Sequence, residues 1–359
     1  MKTNSNLNVL IMAGGQGTRF WPESTKSKPK QYLSLTSSSS LLSDTLKRFK
    51  NFIPIKNRYI VSVKAQKSNL VSSLIGEAHE SNLIYEPEGR NTAPCILLSL
   101  ASLLEKGAKA DDICLVVPAD HVILNTSGFQ DTVKVAIEEA KINDSIVTIG
   151  IKPTFPHTGY GYIHKSSGED DVYNVSSFKE KPDFETAKDY LRTGEYLWNA
   201  GMFLGKISVF LKEFELHAPE IYSYFKSICN SLQSPKDLNK IYSQIPEDSI
   251  DYAIMEKSKV VKVVEAKFDW NDLGSWDALE SVIKPVDENI FVKEIGHYLS
   301  NSKDNIIFAP KQFVSLIDVN NLIVVSNEKN LMILPKDKAQ EVKNIVKHLK
   351  ENEPDLKLL

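Results

Sequence analysis

The chain has little that would send it to a membrane, an oxidising compartment or nucleic acid. It carries only three cysteines, Cys95, Cys114 and Cys229. They neither pair evenly nor show metal-site spacing, so a disulfide framework is excluded. A reducing, cytoplasmic setting is expected. No apolar run is long enough to cross a bilayer, so no membrane partner is expected. Lys2 is the only charged residue before the first short apolar run, which leaves no secretory leader to expect. Charge of one sign is not in excess: 43 Lys and Arg stand against 46 Asp and Glu, for a net charge of −3. A nucleic-acid binder would carry a basic face, so no nucleic-acid partner is expected.

Two common phosphate-binding patterns are missing as well. The dinucleotide fingerprint needs a third glycine three residues after the second. Counting from Gly15 and Gly17, that place is Phe20, which removes hydride transfer from consideration. The Walker A pattern needs a Gly-Lys-Ser/Thr ending, and Gly17-Thr18-Arg19 does not supply it.

What is present is a soluble-type composition, 42% hydrophobic and 25% charged, over 359 residues. That length suits about two domains. The first part alternates strand-like runs (Asn8–Ala13, Arg58–Val63, Leu83–Tyr85, Ile113–Val117, Ile146–Gly150) with helix-like ones (Leu41–Phe49, Ala65–Ile75, Ala93–Lys106, Phe129–Ala140). This rhythm predicts an α/β fold, a Rossmann-like, mostly parallel sheet with helices on both faces. Farther on, Tyr196–Gly205 and Lys259–Ala266 read as strands, and Ile207–His217 and Pro219–Leu232 as helices. From about Asp287 short β runs crowd together at Asn305–Ala309, Val314–Asp318, Leu322–Ser326 and Leu331–Leu334. They predict a small β-rich, β-helix-like module, closed by an amphipathic helix over Lys336–Glu351. The division expected is residues 1–285 and 286–359.

The apolar run Val9–Ala13 feeds directly into Gly14-Gly15-Gln16-Gly17-Thr18-Arg19, and Lys28-Pro29-Lys30 follows. Bare backbone amides at a strand's exit accept phosphate closely, and Arg19, Lys28 and Lys30 add fixed positive charge. Ala13, Gly14, Gly15, Gly17 and Thr18 are therefore candidate nucleotide contacts; a tight turn without a ligand is the plainer alternative. Asp120, in Pro118-Ala119-Asp120-His121, and Asp272, in Asp269–Gly274, can each offer an oxygen to Mg²⁺. A lone Asp at a strand end also serves as a turn residue. His121 is not needed as a ligand for a hard cation and reads as structural.

Glu86–Pro94 is a polar loop opening the next helix, with Thr92 as a candidate cap and Pro94 in the first turn. Guanine shows two adjacent donors, and Glu86 or Glu88 is a bidentate acceptor that suits them. The same loop reads equally as a plain cap. In Phe178-Lys179-Glu180-Lys181-Pro182, Glu180 can accept from sugar hydroxyls and Lys181 can meet a sugar phosphate. A solvated charge run is the alternative. Trp198–Phe203 offers an amide, Asn199, between aromatic walls, and His157–Tyr162 places two glycines where a ligand can approach the backbone.

In this order, these segments resemble the mannose-1-phosphate guanylyltransferases, or GDP-mannose pyrophosphorylases, of bacterial type. The resemblance spans most of residues 7–350 and rests on the Gly loop through Lys30, Gly89–Pro94, Pro118–His121, Phe178–Pro182, Trp198–Phe203 and Trp270–Trp276. It implies a nucleotide-diphospho-sugar transferase fold, Mg²⁺ as cofactor, and GTP and mannose 1-phosphate as substrates. It also implies roles. Arg19, Lys30 and Asp120 would be catalytic, and Asp120 with Asp272 would bind metal. Glu86, Arg90, Asn91 and Thr92 would line the nucleotide. Gly161, Glu180, Lys181 and Asn199 would line the sugar. Longer members carry a fused cupin-type phosphomannose isomerase domain, which is not expected here because the chain ends at Leu359. A second departure is Asn327-Glu328-Lys329 after Leu322–Ser326, where relatives usually have Thr-Asp-Ala or similar. Another hexose 1-phosphate or another NTP is the nearest alternative. A non-catalytic GDP-mannose-binding regulatory subunit is the other, and it would be expected to have lost one of Arg19, Lys30, Asp120 or Asp272. The small module and terminal helix make a homodimer possible.

Overall fold

The computed structural model describes residues 6–15, 17–356 and 358; Lys2 and Gln16 lie outside the described residues. The expected alternation is present as β1 (Leu7–Met12), α1 (Leu41–Lys47), β2 (Arg58–Val63), α2 (Lys67–Ser73), β3 (Leu83–Glu86), α3 (Thr92–Glu105), β4 (Ile113–Pro118), α4 (Thr126–Asn143) and β5 (Ile146–Ile151). Then come β6 (Gly161–Glu169), β7 (Val172–Glu180), α5 (Phe184–Thr193), β8 (Tyr196–Lys206), α6 (Ile207–His217), α7 (Pro219–Tyr222), α8 (Phe225–Ser231), α9 (Pro235–Tyr242) and β9 (Val261–Glu265). These strands form one nine-stranded sheet in the order β3-β2-β1-β4-β8-β5-β9-β7-β6. Only β7 and β8 run against the others. The central strands are near-continuous Val, Ile and Leu because both sheet faces are covered, which is what a parallel, helix-flanked sheet requires.

The rest of the chain forms β10 (Ile290–Lys293), β11 (Gly296–Ser300), β12 (Ile306–Phe308), β13 (Phe313–Ile317), β14 (Leu322–Ser326), β15 (Leu331–Pro335) and α10 (Val342–Asn352). Successive strands alternate between two sheets: β10, β12 and β14 pair in parallel in one, and β11 and β13 pair in parallel in the other. That alternation is a coil, so the β-helix-like expectation holds. Asn289 and Asn305, each 1% exposed, stack at one corner. Asn305 Nδ2 donates to Asn289 Oδ1 at 2.9 Å, and Leu322 N donates to Asn305 Oδ1 at 3.0 Å. The buried amides thus satisfy the backbone where the coil turns.

Three sequence expectations need correction. The run Pro219–Leu232 is two helices, because Ser223 Oγ donates to Glu220 O at 2.7 Å and Tyr224 N tightens onto Ile221 O at 3.3 Å. A local side-chain bond of this kind competes with helical continuation. The closing helix begins as a 3₁₀ segment over Lys336–Glu341, its first N–H drawn across to Asn321 O at 2.8 Å. Strands β10 and β11 were not anticipated, since Phe-Val-Lys and Gly-His-Tyr are not apolar runs and are only partly buried.

The coil packs on the segment that leaves the Gly-rich loop. Phe20, Trp21, Leu33, Leu35 and Leu41 share one apolar cluster with Trp276, Ile306, Phe308, Val342 and Val346. Trp276 is the hub: its ring lies 5.1 Å from Phe20 and 5.5 Å from Phe308, and its Nε1 donates to Trp21 O at 3.1 Å. Replacing this buried indole should therefore loosen both units. Trp276→Ala is expected to lower unfolding free energy by about 3–5 kcal/mol in urea titrations; a loss below about 1 kcal/mol would show that the cluster does not join the two parts.

Candidate active site

The loops after β1, β3 and β4 meet beyond the strands' carboxyl ends, where ligands bind in sheets of this kind. A cleft of about 320 Å³ opens there. It is lined by Ala13, Gly14 and Gly15 from the first loop, Glu86 and Gly89–Thr92 from the second, and Pro118 and Asp120 from the third. The first loop starts from a fixed point: Gln31 Nε2 and Ser62 Oγ each donate to Ala13 O at 2.8 Å. Gly17 has φ 59° and ψ 39°, left-handed backbone that favours glycine. A Cβ built there would lie 2.2 Å from Lys30 Cβ, so the Lys30 stem packs against the bare Gly17 backbone.

Lys30 is 5% exposed. Its ammonium donates to Asp120 Oδ2 at 2.8 Å and to Asp272 O at 2.5 Å. Burial opposes the Asp120 charge, but the Lys30 ammonium, through its charge and its hydrogen bond, more than offsets it and holds this carboxyl below the usual range. Asp272 is steadied by Tyr160, whose hydroxyl donates to Asp272 Oδ1 at 2.7 Å. The Asp272 loop is tied to the Asp120 loop by the Val122–Asn271 bridge and by Asp269, which accepts from Leu124 N and Asn125 N. His121 is pushed down to about 4, chiefly by burial, and its Nδ1 accepts from Trp270 Nε1 at 3.1 Å. It is a neutral brace at physiological pH. Arg48, pushed down to about 10 by burial yet still charged, donates to His121 O at 2.5 Å.

Both aspartates offer oxygen donors, the chemistry a hard divalent cation takes. Among the described residues, no group of three or more His, Cys, Asp or Glu could hold a metal alone. The pair therefore fits an ion that draws most of its ligands from phosphate and water, as Mg²⁺ does. Thr18 is half-buried and Arg19 is exposed. Arg19 sits close enough to His157 to help depress that imidazole, although burial is the larger cause.

On the β3 side, Glu86 is 3% exposed. Tyr242 donates to its Oε1 at 2.6 Å. Burial pushes the Glu86 carboxyl up, and bonds from Tyr242 and the Cys95 thiol offset part of that rise. Its Oε2 faces the loop: a Cβ on Gly14 would lie 3.7 Å from it. Arg90 is bound to the scaffold, donating to Ile245 O and Glu88 Oε1, both at 2.8 Å. The cap of α3 is Asn91, not Thr92; Asn91 Oδ1 accepts from Thr92 N, while the Thr92 hydroxyl accepts from Ile250 N at 2.8 Å. The chain enters that helix through Asn91 at φ 65°, which moves the cap one residue upstream of Thr92.

Gly161, Glu180, Lys181 and Asn199 come together where β6, β7 and β8 meet. Gly161 pairs with Glu180 across β6 and β7, and a Cβ on Gly161 would lie 2.4 Å from Glu180 Oε2. Lys181 Nζ donates to Glu180 Oε1 at 2.6 Å. Strand β8 bulges against β5 between Asn199 and Phe203, with Gly201 at φ 64°. Bulges re-aim side chains near functional sites. Here the bulge lets Thr148 Oγ1 and Gly201 N both donate to Asn199 Oδ1, at 3.2 and 3.1 Å. The Asn199 amide then donates to Asp251 Oδ1 at 2.9 Å. Burial, then the nearby Glu180 charge, push the Asp251 carboxyl up to about 6. The motif reading missed Tyr242 and Asp251, which lie in no Gly-rich or charge-patterned run. Tyr160 lay inside a run singled out for its glycines, and Gln31 immediately follows Lys30.

Two outcomes follow from this geometry. Gly17→Ala should displace Lys30 and lower kcat about 100-fold, the scale of a 1 Å misplacement, with a loss of about 1–2 kcal/mol of stability from the left-handed backbone; normal turnover would show that the contact does not position Lys30. The Asp251 carboxyl stands at about 6 when folded against an ordinary 3.8. Between those values the folded chain binds more protons than the unfolded chain, so this group makes stability fall as pH rises through the window. Asp251→Asn should gain relative stability as pH rises across it, measured by urea unfolding; a pH-independent difference would mean that the carboxyl titrates normally.

Residues 8–289 match the Nucleotidyl transferase family, and residues 298–349 match the MannoseP isomerase/GMP-like beta-helix domain. The chain is 38% identical over 354 residues to a mannose-1-phosphate guanylyltransferase of Salmonella typhimurium, covering 96% of this chain and 72% of that protein. It is 36% identical over 360 residues to one of Klebsiella pneumoniae, covering 96% and 74%. A crystal structure from Thermus thermophilus, described as a mannose-1-phosphate geranyltransferase, superposes with a TM-score of 0.88 at 32% identity, covering 96% of this chain and 99% of that one. With the sheet, the coil and the loop-borne site in place, the chain belongs to the nucleotidyl transferase family.

Proposed function

We propose that this protein transfers GMP from GTP to α-D-mannose 1-phosphate, giving GDP-mannose and pyrophosphate. The observation that carries the reading is the Lys30 ammonium, buried at the foot of a Gly-rich loop between the Asp120 carboxylate and the Asp272 carbonyl. The similarity to mannose-1-phosphate guanylyltransferases of Salmonella typhimurium and Klebsiella pneumoniae supports the choice of substrates. Glu86, with Oε1 taken by Tyr242, keeps Oε2 toward Gly14 as an acceptor for one donor of the guanine edge. Residues 1–285 would form the catalytic unit and residues 286–359 the coil that braces it. The three free cysteines agree with a cytoplasmic setting.

The nucleophile is an oxygen of the sugar phosphate, largely dianionic at neutral pH with a second pKa of ~6. It needs no general base. A bond forms from that oxygen to the α-phosphorus of GTP, and the bond from that phosphorus to the β-phosphate oxygen breaks, releasing pyrophosphate. The obstacle is repulsion between polyanions, so alignment and charge neutralisation supply the acceleration. Lys30 neutralises charge at the α-phosphate, and Arg19 meets the departing pyrophosphate. Glu180 and Asn199 orient the sugar, and Lys181 meets its phosphate. Asp120 and Asp272 would hold Mg²⁺, which would supply positive charge to offset that of the phosphates.

Pyrophosphate release tests this directly. It should appear with GTP only when mannose 1-phosphate is added, and exceed that with other NTPs or hexose 1-phosphates; a stronger response to another pair would overturn the substrate assignment. Lys30→Ala should lower kcat by about 10²–10³ in a protein that still unfolds cooperatively. Near-normal turnover would remove Lys30 from the chemistry.

A further inference from the structure

We infer that Tyr160 is a positioning residue for the divalent ion: its hydroxyl fixes Asp272 Oδ1 and so presents Oδ2 to the metal. The inference deepens the proposed reaction and rests on it, since Asp272 is there a ligand of the ion. The main chain of Asp272 is already set. Its carbonyl accepts from Lys30 Nζ, and Asn271 Oδ1 accepts from Leu273 N at 2.6 Å. Leu273, fully buried, holds left-handed backbone at φ 45°. Such strain in a residue other than glycine persists only where the surroundings over-determine it. What this clamp leaves free is rotation of the carboxylate. On one side stands only the bare backbone of Gly274, where a Cβ would lie 3.5 Å from Asp272 Oδ2. The Tyr160 hydroxyl supplies the stop, donating to Oδ1 at 2.7 Å. A bond to an ionised carboxylate is among the stronger ones available to a neutral donor.

The phenol is aimed by what surrounds it. Its ring stacks on His157 at 3.8 Å and meets Trp198 and Trp270 edge-on at 5.1 and 5.2 Å. His157 is fixed in turn. Its Nδ1 accepts from Gly159 N at 3.1 Å, and a Cβ on Gly159 would lie 2.8 Å from its ring. Trp270 donates to His121, which stands beside Asp120, so one aromatic bracket spans both carboxylates. The Tyr160 carbonyl accepts from Lys181 N at 3.2 Å, which ties the same residue to the end of β7. A packed phenol needs only some acceptor for its hydroxyl. This one is held on its ring faces, at its edges and through its main chain, and its hydroxyl meets one oxygen of a carboxylate suited to a hard cation. Partners behind a metal-binding carboxylate act in this way, leaving it a single free direction.

The test is Mn²⁺ binding, read by water-proton relaxation with and without GTP. Wild type is compared with Tyr160→Phe, Tyr160→Leu, Asp272→Asn and the double variant Tyr160→Phe/Asp272→Asn. Tyr160→Phe keeps the ring and loses the hydroxyl. It should weaken Mn²⁺ about 10-fold or more, the scale for removing a partner behind a metal ligand, in a protein that still unfolds cooperatively. The Mg²⁺ dependence of pyrophosphate release should shift by a similar factor, while KM for GTP at saturating Mg²⁺ stays within about twofold. The double variant should bind Mn²⁺ no more weakly than Asp272→Asn, because the hydroxyl acts through that carboxylate. If Tyr160→Phe binds as wild type does and only Tyr160→Leu is weakened, the ring merely packs and the inference falls. It falls as well if the losses of the two single variants multiply in the double. If Mn²⁺ binding follows the stated pattern but no pyrophosphate is released, the proposed reaction fails and the positioning role stands. If wild type holds no saturable Mn²⁺ in either condition, or Asp272→Asn leaves the ion as tightly held, the metal reading and the inference are both overturned.

Discussion

One buried cation organises this protein. The Lys30 ammonium reaches a carboxylate 90 residues away and a backbone carbonyl 242 residues away. A buried ammonium alone would be costly, and it is tolerable because the half-buried Asp120 carboxylate is beside it. The pair sits where β1 and β4 end side by side, so the parallel pairing of Leu7–Met12 with Ile113–Pro118 delivers both partners to one place. Gly17 then matters because any side chain there would strike the Lys30 stem. His121, neutral and bonded to Trp270, fills the space beside Asp120 without adding a competing charge.

Around this pin stand two clusters of polar groups and a brace. The β3 side carries Glu86 and Tyr242, a buried acceptor with its partner. The β6–β7–β8 side carries Gly161, Glu180, Lys181, Asn199 and Asp251. The strands that run against the rest, β7 and β8, supply Glu180 and Asn199, which meet beside Gly161 at the start of β6. The coil of β10–β15 contributes no residue lining that cleft. Its contribution is mechanical: it clamps Phe20 and Trp21, the residues after Arg19, through Trp276 and α10. Trp276 closes the Trp270–Trp276 segment that also carries Asp272, so one hydrophobic hub steadies both ends of the charged centre.

Much of this was legible in the sequence, for physical reasons. Central strands buried on both faces must be continuously apolar, and Arg58–Val63 was readable to the residue. The Gly loop and Asp120 lie just beyond β1 and β4, whose apolar runs were readable, and Lys30 joins Asp120 to the Asp272 loop. What was not legible is polar chemistry supplied from ordinary-looking helices. Tyr242 ends a plain amphipathic helix, and Asp251 begins a turn whose π geometry no spacing reveals. The cap at Asn91 rather than Thr92 depended on the Ile250 N–H claiming the Thr92 hydroxyl, a contact 158 residues distant. Strands β10 and β11 escaped because half-buried coil strands need no apolar run.

The central claim is that Lys30 and Asp120 act as one unit. A double-substitution cycle on kcat/KM, comparing Lys30→Met, Asp120→Asn and the two together, measures that unity directly. The combined variant is predicted to be no more than about twofold slower than the slower single variant, since either change already breaks the unit. Losses that multiply would show two independent groups and contradict the account.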